Sequence, residues 1–250
     1  MKKNNYSYIG IAFIILLFGI IFIPKIVNRI KSDKVVDNTG RSEQIAKPTE
    51  DEKKAKALSF IEINGQRKKV PNFSFTNQDG KTITQKDYLG KVYVVDFFFT
   101  TCPTICPRMS KNLVEIQELY KENSNFGIAS FSIMPATDTP EILKDYAENY
   151  GITHPNWHLL TGEQEKIHQL ANTGFNIYVG EVEDGALGFA HSGDFALIDK
   201  NGYIRSRTDA FGNPKIFYKG IISEQEKMDE DGNAQEISML KEDIRILLEE

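Results

Sequence analysis

Apolar and polar residues follow strand and helix periods along much of this chain. Residues 92–99 are apolar except for Asp96, and a run that is apolar on both faces is typical of a central strand in a covered sheet. Residues 109–120 carry apolar side chains at helical spacing, and Pro107 is tolerated only in a first turn. The pattern therefore predicts a helix that begins near Cys106.

The rest of the chain from residue 60 predicts further strands and helices without an internal repeat. Strands are expected at 60–63, 73–76, 82–84, 126–133, 157–160, 194–199 and 203–207, with an apolar run at 175–179; helices are expected after the N-cap residue Thr139, at 163–171 and at the carboxyl end. Lys200-Asn201-Gly202 is a strong hairpin signal. The predicted fold is α/β, with a thioredoxin-like central mixed sheet flanked by helices.

The amino end predicts one transmembrane helix ahead of this domain. Residues 8–23 carry no charge, and the span extends to about residue 27, within an anchor at 1–32. Bulky residues follow the span, so we expect no cleavage. Four basic residues after it favour a cytoplasmic domain by the positive-inside rule, but amino-terminal apolar segments commonly act as export signals and long domains translocate largely regardless of charge. We therefore expect a single-pass cell (inner) membrane protein with its soluble domain on the periplasmic or extracytoplasmic side.

A polar segment separates the anchor from the folded domain. Residues 33–59 contain few apolar side chains and predict a flexible tether with a reach of about 30 Å, followed by the domain at 60–250. The chain has 35 acidic and 30 basic residues and no basic patch in the domain, which gives no support for nucleic-acid binding.

Cys102 and Cys106 are the only cysteines, and they follow the apolar strand at the end where open α/β sheets place their reactive groups. Backbone N–H groups at a helix start favour a thiolate, which predicts a lowered pKa, more so for Cys106. A structural disulfide across so short a loop would contribute only about 2 kcal/mol. A redox role or a shared metal ion is therefore the favoured interpretation.

Copper(I) prefers soft thiolates, and two cysteines with one imidazole suit it, whereas structural zinc would require a fourth ligand. His158 and His168 fit ordinary packing or exposure, and His154 precedes Pro155 in a turn, where it would cap or face water. His191 follows a glycine-rich stretch and precedes a strand. We expect it on a mobile loop at a strand edge, a position that leaves functional and structural roles equally open.

Several segments taken together resemble the Sco/SenC family of membrane-anchored, thioredoxin-like copper proteins that serve cytochrome c oxidase assembly. They are residues 99–107, 138–141, 160–162, 191–192 and 195–202, and the resemblance extends from about residue 70 to residue 248. It implies that Cys102, Cys106 and His191 are copper ligands.

The chain departs from the family pattern at two places near these residues. Met134-Pro135 stands where the family usually has an aspartate before the proline, and Thr104-Ile105 replaces an acidic residue and a valine. The Met134 thioether offers a soft contact, although packing is the commoner role of methionine.

The resemblance implies a metallochaperone rather than an enzyme, which binds one copper ion and delivers it to the binuclear copper centre of a cytochrome c oxidase subunit. The rival is a thiol–disulfide reductase in which Cys102 and Cys106 act as a redox pair on an oxidase subunit or another exported protein, with a thiol reductant protein as a further partner. A simple dithiol reductase does not require His191. A thiol peroxidase is a third alternative, for which Arg108 is the nearby arginine, although a solvated helix-start role is the more common one.

Overall fold

The computed structural model describes residues 58–181, 189–208 and 213–250. The predicted membrane anchor and nearly all of the predicted tether lie outside these ranges. Within them, no helix combines the length and the apolar character that a bilayer crossing requires.

The described part of the chain alternates short strands with a few helices. The strands are β1 (Ser59–Phe60), β2 (Glu62–Ile63), β3 (Gln66–Arg67), β4 (Ser74–Asn77), β5 (Thr82–Thr84), β6 (Val92–Phe98), β7 (Phe126–Ser132), β8 (Trp157–Thr161), β9 (Val179–Glu181), β10 (Phe189–His191), β11 (Asp194–Ile198), β12 (Ile204–Ser206) and β13 (Tyr218–Lys219). The α-helices are α1 (Ile105–Tyr120), α2 (Pro140–Tyr150), α3 (Gln164–Gln169) and α4 (Ile237–Glu249), with a 3-10 helix at Gln85–Tyr88 and a π-helix at Leu170–Phe175. These bounds confirm most predicted elements, including a helix start beside Cys106.

The predicted helix at 163–171 and the apolar run at 175–179 differ from the structure in one respect. The chain forms α3 and then a π-helix that continues to Phe175, and strand pairing begins only at Val179. The π-helix ends at Asn176, which adopts a left-handed conformation with φ 58°. Asparagine is one of the few residues other than glycine that adopt this conformation readily, and it redirects the chain toward β9.

One mixed sheet organises these elements, with strand order β1-β12-β11-β6-β7-β8-β4-β5 and β13 paired to β11 among the described strands. Strands β6, β7 and β8 run parallel, and β11 lies antiparallel on the other side of β6. All seven residues of β6 are buried, as its uninterrupted apolar pattern predicts. The cysteines therefore follow a central strand.

The register of β11 against β6 determines which loops meet at the end of the sheet. Ala196 lies opposite Val95 and Ile198 lies opposite Tyr93. Because the two strands are antiparallel, residues that precede Asp194 run toward the end of β6 from which the cysteine segment leaves. This register brings the His191 segment and the cysteines to the same edge.

A buried arginine joins the first and last described residues at the other end of the sheet. Arg205 contacts the carboxylates of Asp199 and Glu250 at 3.0 Å, and its Nη2 donates to the Leu58 carbonyl at 2.8 Å. The predicted hairpin between β11 and β12 is confirmed, and Gly202 supplies its positive φ of 82°.

Candidate metal centre

The two thiols lie at the junction of β6 and α1, in the order that the sequence predicts. Cys102 is 6% exposed and Cys106 is 0% exposed, and both are present as thiols rather than as a disulfide in the described structure. The Cys102 N–H donates to the Phe99 carbonyl at 3.3 Å, which closes a tight turn. The Cys102 Sγ lies 3.7 Å from Thr104 Oγ1. The two thiols thus form a neighbouring pair of soft donors that is almost completely buried.

The prediction of a lowered Cys106 pKa is wrong. Burial raises the pKa of the Cys106 thiol well above its ordinary value, and the hydrogen bond between its side chain and Cys102 raises it further. A helix N-terminus typically contributes about 0.3–1 kcal/mol, which is less than one pKa unit. Desolvation of a fully buried thiolate outweighs that contribution. Cys106 is therefore a neutral thiol until a proton acceptor or a metal ion takes its proton.

A buried acid lies within β6, the central strand that precedes the cysteine segment. Asp96 is 3% exposed, and burial raises its pKa to about 7 although a hydrogen bond from the Ser130 hydroxyl lowers it. The indole N–H of Trp157 in turn donates to Ser130 Oγ at 3.0 Å. The charge of Asp96 is among the causes that raise the pKa of Cys106.

His191 is the last residue of β10, where its Cα lies opposite that of Val179. The prediction of a mobile loop position is therefore wrong, because the backbone is paired in a β9–β10 ladder. The described structure covers the backbone of His191 and not the surroundings of its side chain.

Contacts of Gly193 place the His191 segment against the start of the cysteine helix. A β-carbon built on Gly193 would lie 3.7 Å from Ile105 Cδ1 and would clash with the Ile221 side chain. A larger residue there would be forced against Ile221. Glycine thus permits the close approach of the chain after His191 to Ile221, while its contact with Ile105, the residue before Cys106, is of ordinary length.

Hydrogen bonds reinforce this approach. The buried Asn112 side chain of α1 donates to the Gly220 carbonyl at 2.8 Å, and the Gly220 N–H donates to the Gly193 carbonyl at 2.7 Å. The cysteine helix, the β13 segment and the His191 segment are therefore linked in series.

A second anchor holds the chain that leads into Cys102. The buried Asp138 carboxyl group accepts hydrogen bonds from the N–H and the hydroxyl of Thr100 at 3.1 and 2.5 Å. Asp138 directly precedes Thr139, the N-cap of α2, whose Oγ1 accepts the Ile142 N–H. The predicted cap is confirmed. The start of α2 thereby holds the Asp138 carboxyl group against Thr100, two residues before Cys102.

The metal-ligand set implied by the resemblance is brought together only in part by the described side chains. Among them, no group of three or more His, Cys, Asp or Glu side chains is arranged to hold a metal ion, and the His191 side chain lies outside that comparison. Met134 is half-buried and packs against the hydrophobic core, in agreement with its packing interpretation.

The Arg108 side chain pairs with a glutamate in this structure. Its Nη2 forms an ion pair with Glu226 Oε1 at 2.7 Å, with both side chains about half-exposed. The thiol-peroxidase alternative thus receives no support from this residue.

The other histidines have partners within the fold. His158 Nδ1 lies 3.2 Å from Asn77 Nδ2, and His168 Nε2 lies 3.0 Å from the Ile133 carbonyl. His154 is 5% exposed, so the alternative in which it faces water is wrong; its Nδ1 accepts the Asn156 N–H at 3.1 Å and caps the turn.

Burial lowers the pKa of both His154 and His158. Each therefore binds a proton more weakly in the folded state, so we expect their contribution to stability to be lost as the pH falls below about 6.5, the ordinary histidine pKa. Urea unfolding at pH 7.5 and 5.5 tests this. The double variant His154→Asn/His158→Asn, which keeps an acceptor at each site, should lose less stability than the wild type between these pH values; an equal loss would contradict the prediction.

Sequence reasoning missed Asn112, Gly193, Gly220 and Asp138. Each acts through a partner that is distant in the chain, so no local motif marks its role. A weak signal was present for Asp138, because it belongs to a segment that carries the family resemblance.

The sequence of this chain matches a known protein family and its members. The family model described as SCO1/SenC matches residues 62–224. The SCO1 protein homolog of Bacillus subtilis (strain 168) is 37% identical over 157 residues, which cover 62% of this chain and 80% of the relative.

Solved structures of proteins from the same family have a fold similar to that of this chain. A SCO1/SenC family lipoprotein from Bacillus anthracis str. Ames has a TM-score of 0.58 at 33% identity, covering 72% of this chain and 95% of its own. BsSco, described as a member of the Sco family of cytochrome c oxidase assembly proteins in which a disulfide switch was identified, has a TM-score of 0.57 at 30% identity, covering 72% and 93%. Arabidopsis thaliana ScoI, solved with copper bound, has a TM-score of 0.53 at 24% identity, covering 72% and 99%, and shows the fold alone. The predicted mixed α/β, thioredoxin-like fold is confirmed.

Proposed function

Because this chain belongs to the SCO1/SenC family, we propose that it is a copper metallochaperone. In this proposal Cys102, Cys106 and His191 hold one copper ion as cargo, which then passes to the binuclear copper centre of a cytochrome c oxidase subunit. The observation that carries the proposal is the neighbouring thiol pair at the end of β6, together with Gly193, two residues after His191, near the Ile105 side chain at the start of the cysteine helix.

The donor set fits copper on chemical grounds. Two thiolates and an imidazole form a soft, three-ligand set that suits Cu(I), and the buried position of the thiols excludes competing water. Because Cys106 is a neutral thiol, loading must release its proton, and a Cys102–Cys106 disulfide would leave no thiolate to bind the ion. Copper loading therefore requires the reduced protein.

Relatives support the same assignment. BsSco is described as a member of the Sco family of cytochrome c oxidase assembly proteins. The Bacillus anthracis relative is a lipoprotein, a class held at a membrane surface by its lipid. For this chain we propose anchorage through residues 1–32, with the tether at 33–59 carrying the extracytoplasmic domain at 60–250 to its oxidase partner.

Removing the proposed imidazole ligand tests the proposal. We expect His191→Ala to weaken Cu(I) binding roughly tenfold to a hundredfold, because one of three ligands is lost while both thiols remain. The measurement is competition with a Cu(I) chelator, using the reduced full-length chain in detergent.

His158→Asn is the matched control, since it removes a half-buried histidine that contacts Asn77 instead of the cysteine segment. Its Cu(I) affinity should equal that of the wild type. Tight binding of one equivalent that is indifferent to His191→Ala would refute the three-ligand site, and the absence of tight binding by the wild type would refute copper delivery.

The difference in exposure between the two thiols supports a reductase as the second candidate. Cys102 is 6% exposed and Cys106 is 0% exposed, so a partner disulfide would reach Cys102 first. In that reaction the Cys102 thiolate would attack one sulfur of the partner disulfide and release the other as a thiol, and Cys106 would then resolve the mixed disulfide. The sequence leaves the attacking and resolving roles open, and this order assigns them although the helix start predicted the lower pKa for Cys106.

A further inference from the structure

A buried carboxyl group outside the proposed ligand set holds the chain just before Cys102. Asp138 is 0% exposed, and its oxygens accept both the backbone N–H and the hydroxyl of Thr100. The Ser132 hydroxyl donates to the same carboxyl group at 2.5 Å. We propose that Asp138 is a positioning residue that fixes the Cys102 segment relative to Cys106, and its relevance to copper rests on the proposed function.

The cysteine segment depends on such an anchor because three of the four residues from Thr101 to Thr104 are exposed. Burial holds Cys102 but does not hold Thr101, Pro103 and Thr104 in one conformation. Asp138 contacts both the main chain and the side chain of Thr100, two residues before Cys102, and thereby restricts the backbone dihedrals and the rotamer of that residue.

On the other side of Cys102, Ile105 packs near Gly193 and Cys106 is fully buried. The separation of the two sulfur atoms therefore depends on Thr100 staying in place.

The chemistry of the contacts requires an acceptor on both oxygens. Thr100 N–H and Ser132 Oγ–H donate to Oδ2, and the Thr100 hydroxyl donates to Oδ1. A carboxylate can accept all of these bonds, whereas an asparagine would direct an NH₂ group at one set of donors. Asp138→Asn is therefore a nearly isosteric change that releases part of the anchor.

The position of Asp138 is itself well determined. Its N–H donates to the Met134 carbonyl at 3.0 Å, and Ser132 is the residue of β7 that pairs with Phe98 at the end of β6. The anchor therefore connects two adjacent strand ends and the start of α2 to a single residue of the cysteine segment.

The test measures two properties of the full-length chain in detergent: Cu(I) affinity by chelator competition, and the dithiol–disulfide equilibrium of Cys102 and Cys106 in glutathione buffers. We expect Asp138→Asn to weaken Cu(I) binding at least tenfold and to change the equilibrium constant at least tenfold, which corresponds to about 30 mV. Thr100→Val, which removes one hydroxyl donor and keeps the shape of the side chain, should shift both properties in the same direction by a smaller factor.

Asp199→Asn is the matched control. Asp199 is 5% exposed and accepts the Asn201 and Tyr203 N–H groups at 2.9 Å, but it lies at the opposite end of β11. It should lower the melting temperature while leaving Cu(I) affinity and the thiol equilibrium within twofold of the wild type.

Wild-type values in both folded variants, or a shift in Asp199→Asn as large as that in Asp138→Asn, would overturn the positioning role. If Asp138→Asn does not fold, Thr100→Val decides. A wild-type chain that binds no Cu(I) would refute the proposed function alone, because the glutathione equilibrium still reports whether Asp138 positions the thiols.

Discussion

Replacing either Cys102 or Cys106 by serine is expected to weaken Cu(I) binding by roughly a thousandfold or more, since a hard hydroxyl replaces a soft thiolate in a three-ligand set. This loss should exceed that of His191→Ala, because imidazole is the weaker of the two ligand types for Cu(I). Chelator competition on the reduced, full-length chain measures all three variants under one condition.

Thr101→Ala provides the control for Cys102→Ser, because Thr101 is the exposed neighbour of Cys102 and supplies no soft donor. Its Cu(I) affinity should match that of the wild type. Tight binding retained by both serine variants would rule out a site built on the cysteine pair.

The same serine variants separate copper delivery from disulfide reduction. A reductase with Cys106→Ser lacks its resolving thiol, so a mixed disulfide on the more exposed Cys102 should accumulate and appear as a mass adduct. Cys102→Ser should trap much less, because Cys106 is fully buried. Equal trapping by the two variants would contradict the assigned order of attack.

The helical spacing of apolar residues in α1 indicates the burial of Cys106. Cys106, Met109, Leu113 and Ile116 recur at helical spacing, and all four lie on the buried face of α1. Extending the apolar stripe of the helix backward by one turn would have placed the Cys106 thiol inside. The prediction failed because it weighed the helix start and left out the direction of the side chain, and burial has the larger effect on a thiol pKa.

The location of His191 could be predicted from sequence only by resemblance. Its strand β10 pairs with β9 across a glycine-rich connection, and glycine weakens the strand signal on which periodicity depends. The approach of Gly193, two residues after His191, to the start of α1 arises from the register of β11 on β6 and from the contacts of Gly193. Such long-range contacts leave no local pattern, whereas the strand–turn–helix that carries the cysteines is local and was predicted correctly.

Asp96→Asn is expected to stabilise the domain at alkaline pH, although it removes a hydrogen-bonded buried side chain. Burial raises the pKa of Asp96 from 3.8 to about 7, so the folded state holds the proton more strongly than the unfolded state. Its favourable contribution is complete below pH 3.8 and is lost as the pH rises to about 7, above which the fold buries a charged carboxylate. The pH-dependent part of the advantage of asparagine should approach about 4 kcal/mol at pH 8 and should be less than half of that at pH 5.

The decisive quantity is the change in the stability advantage of Asp96→Asn between pH 5 and pH 8. A buried amide N–H without a partner would cost a fixed amount of about 1–3 kcal/mol, which cancels when the same variant is compared at pH 5 and pH 8. Free energies of unfolding in urea for wild type and variant measure it. Asp145→Asn, on the exposed face of α2, removes a carboxyl group that water solvates and should show no growth with pH. An Asp96→Asn advantage that is equal at both pH values would mean that Asp96 does not titrate in this window.

The ionisation of Asp96 that lowers stability also affects the thiol pair, because the negative charge of Asp96 raises the pKa of the Cys106 thiol. A sheet interior selected for stability alone would favour an apolar residue between Val95 and Phe97, both of which are buried. The acid instead makes the protonation of the core depend on pH around neutrality, within the strand that leads to the cysteine segment. A stability gain in Asp96→Asn would therefore show that this strand carries a cost which packing does not explain.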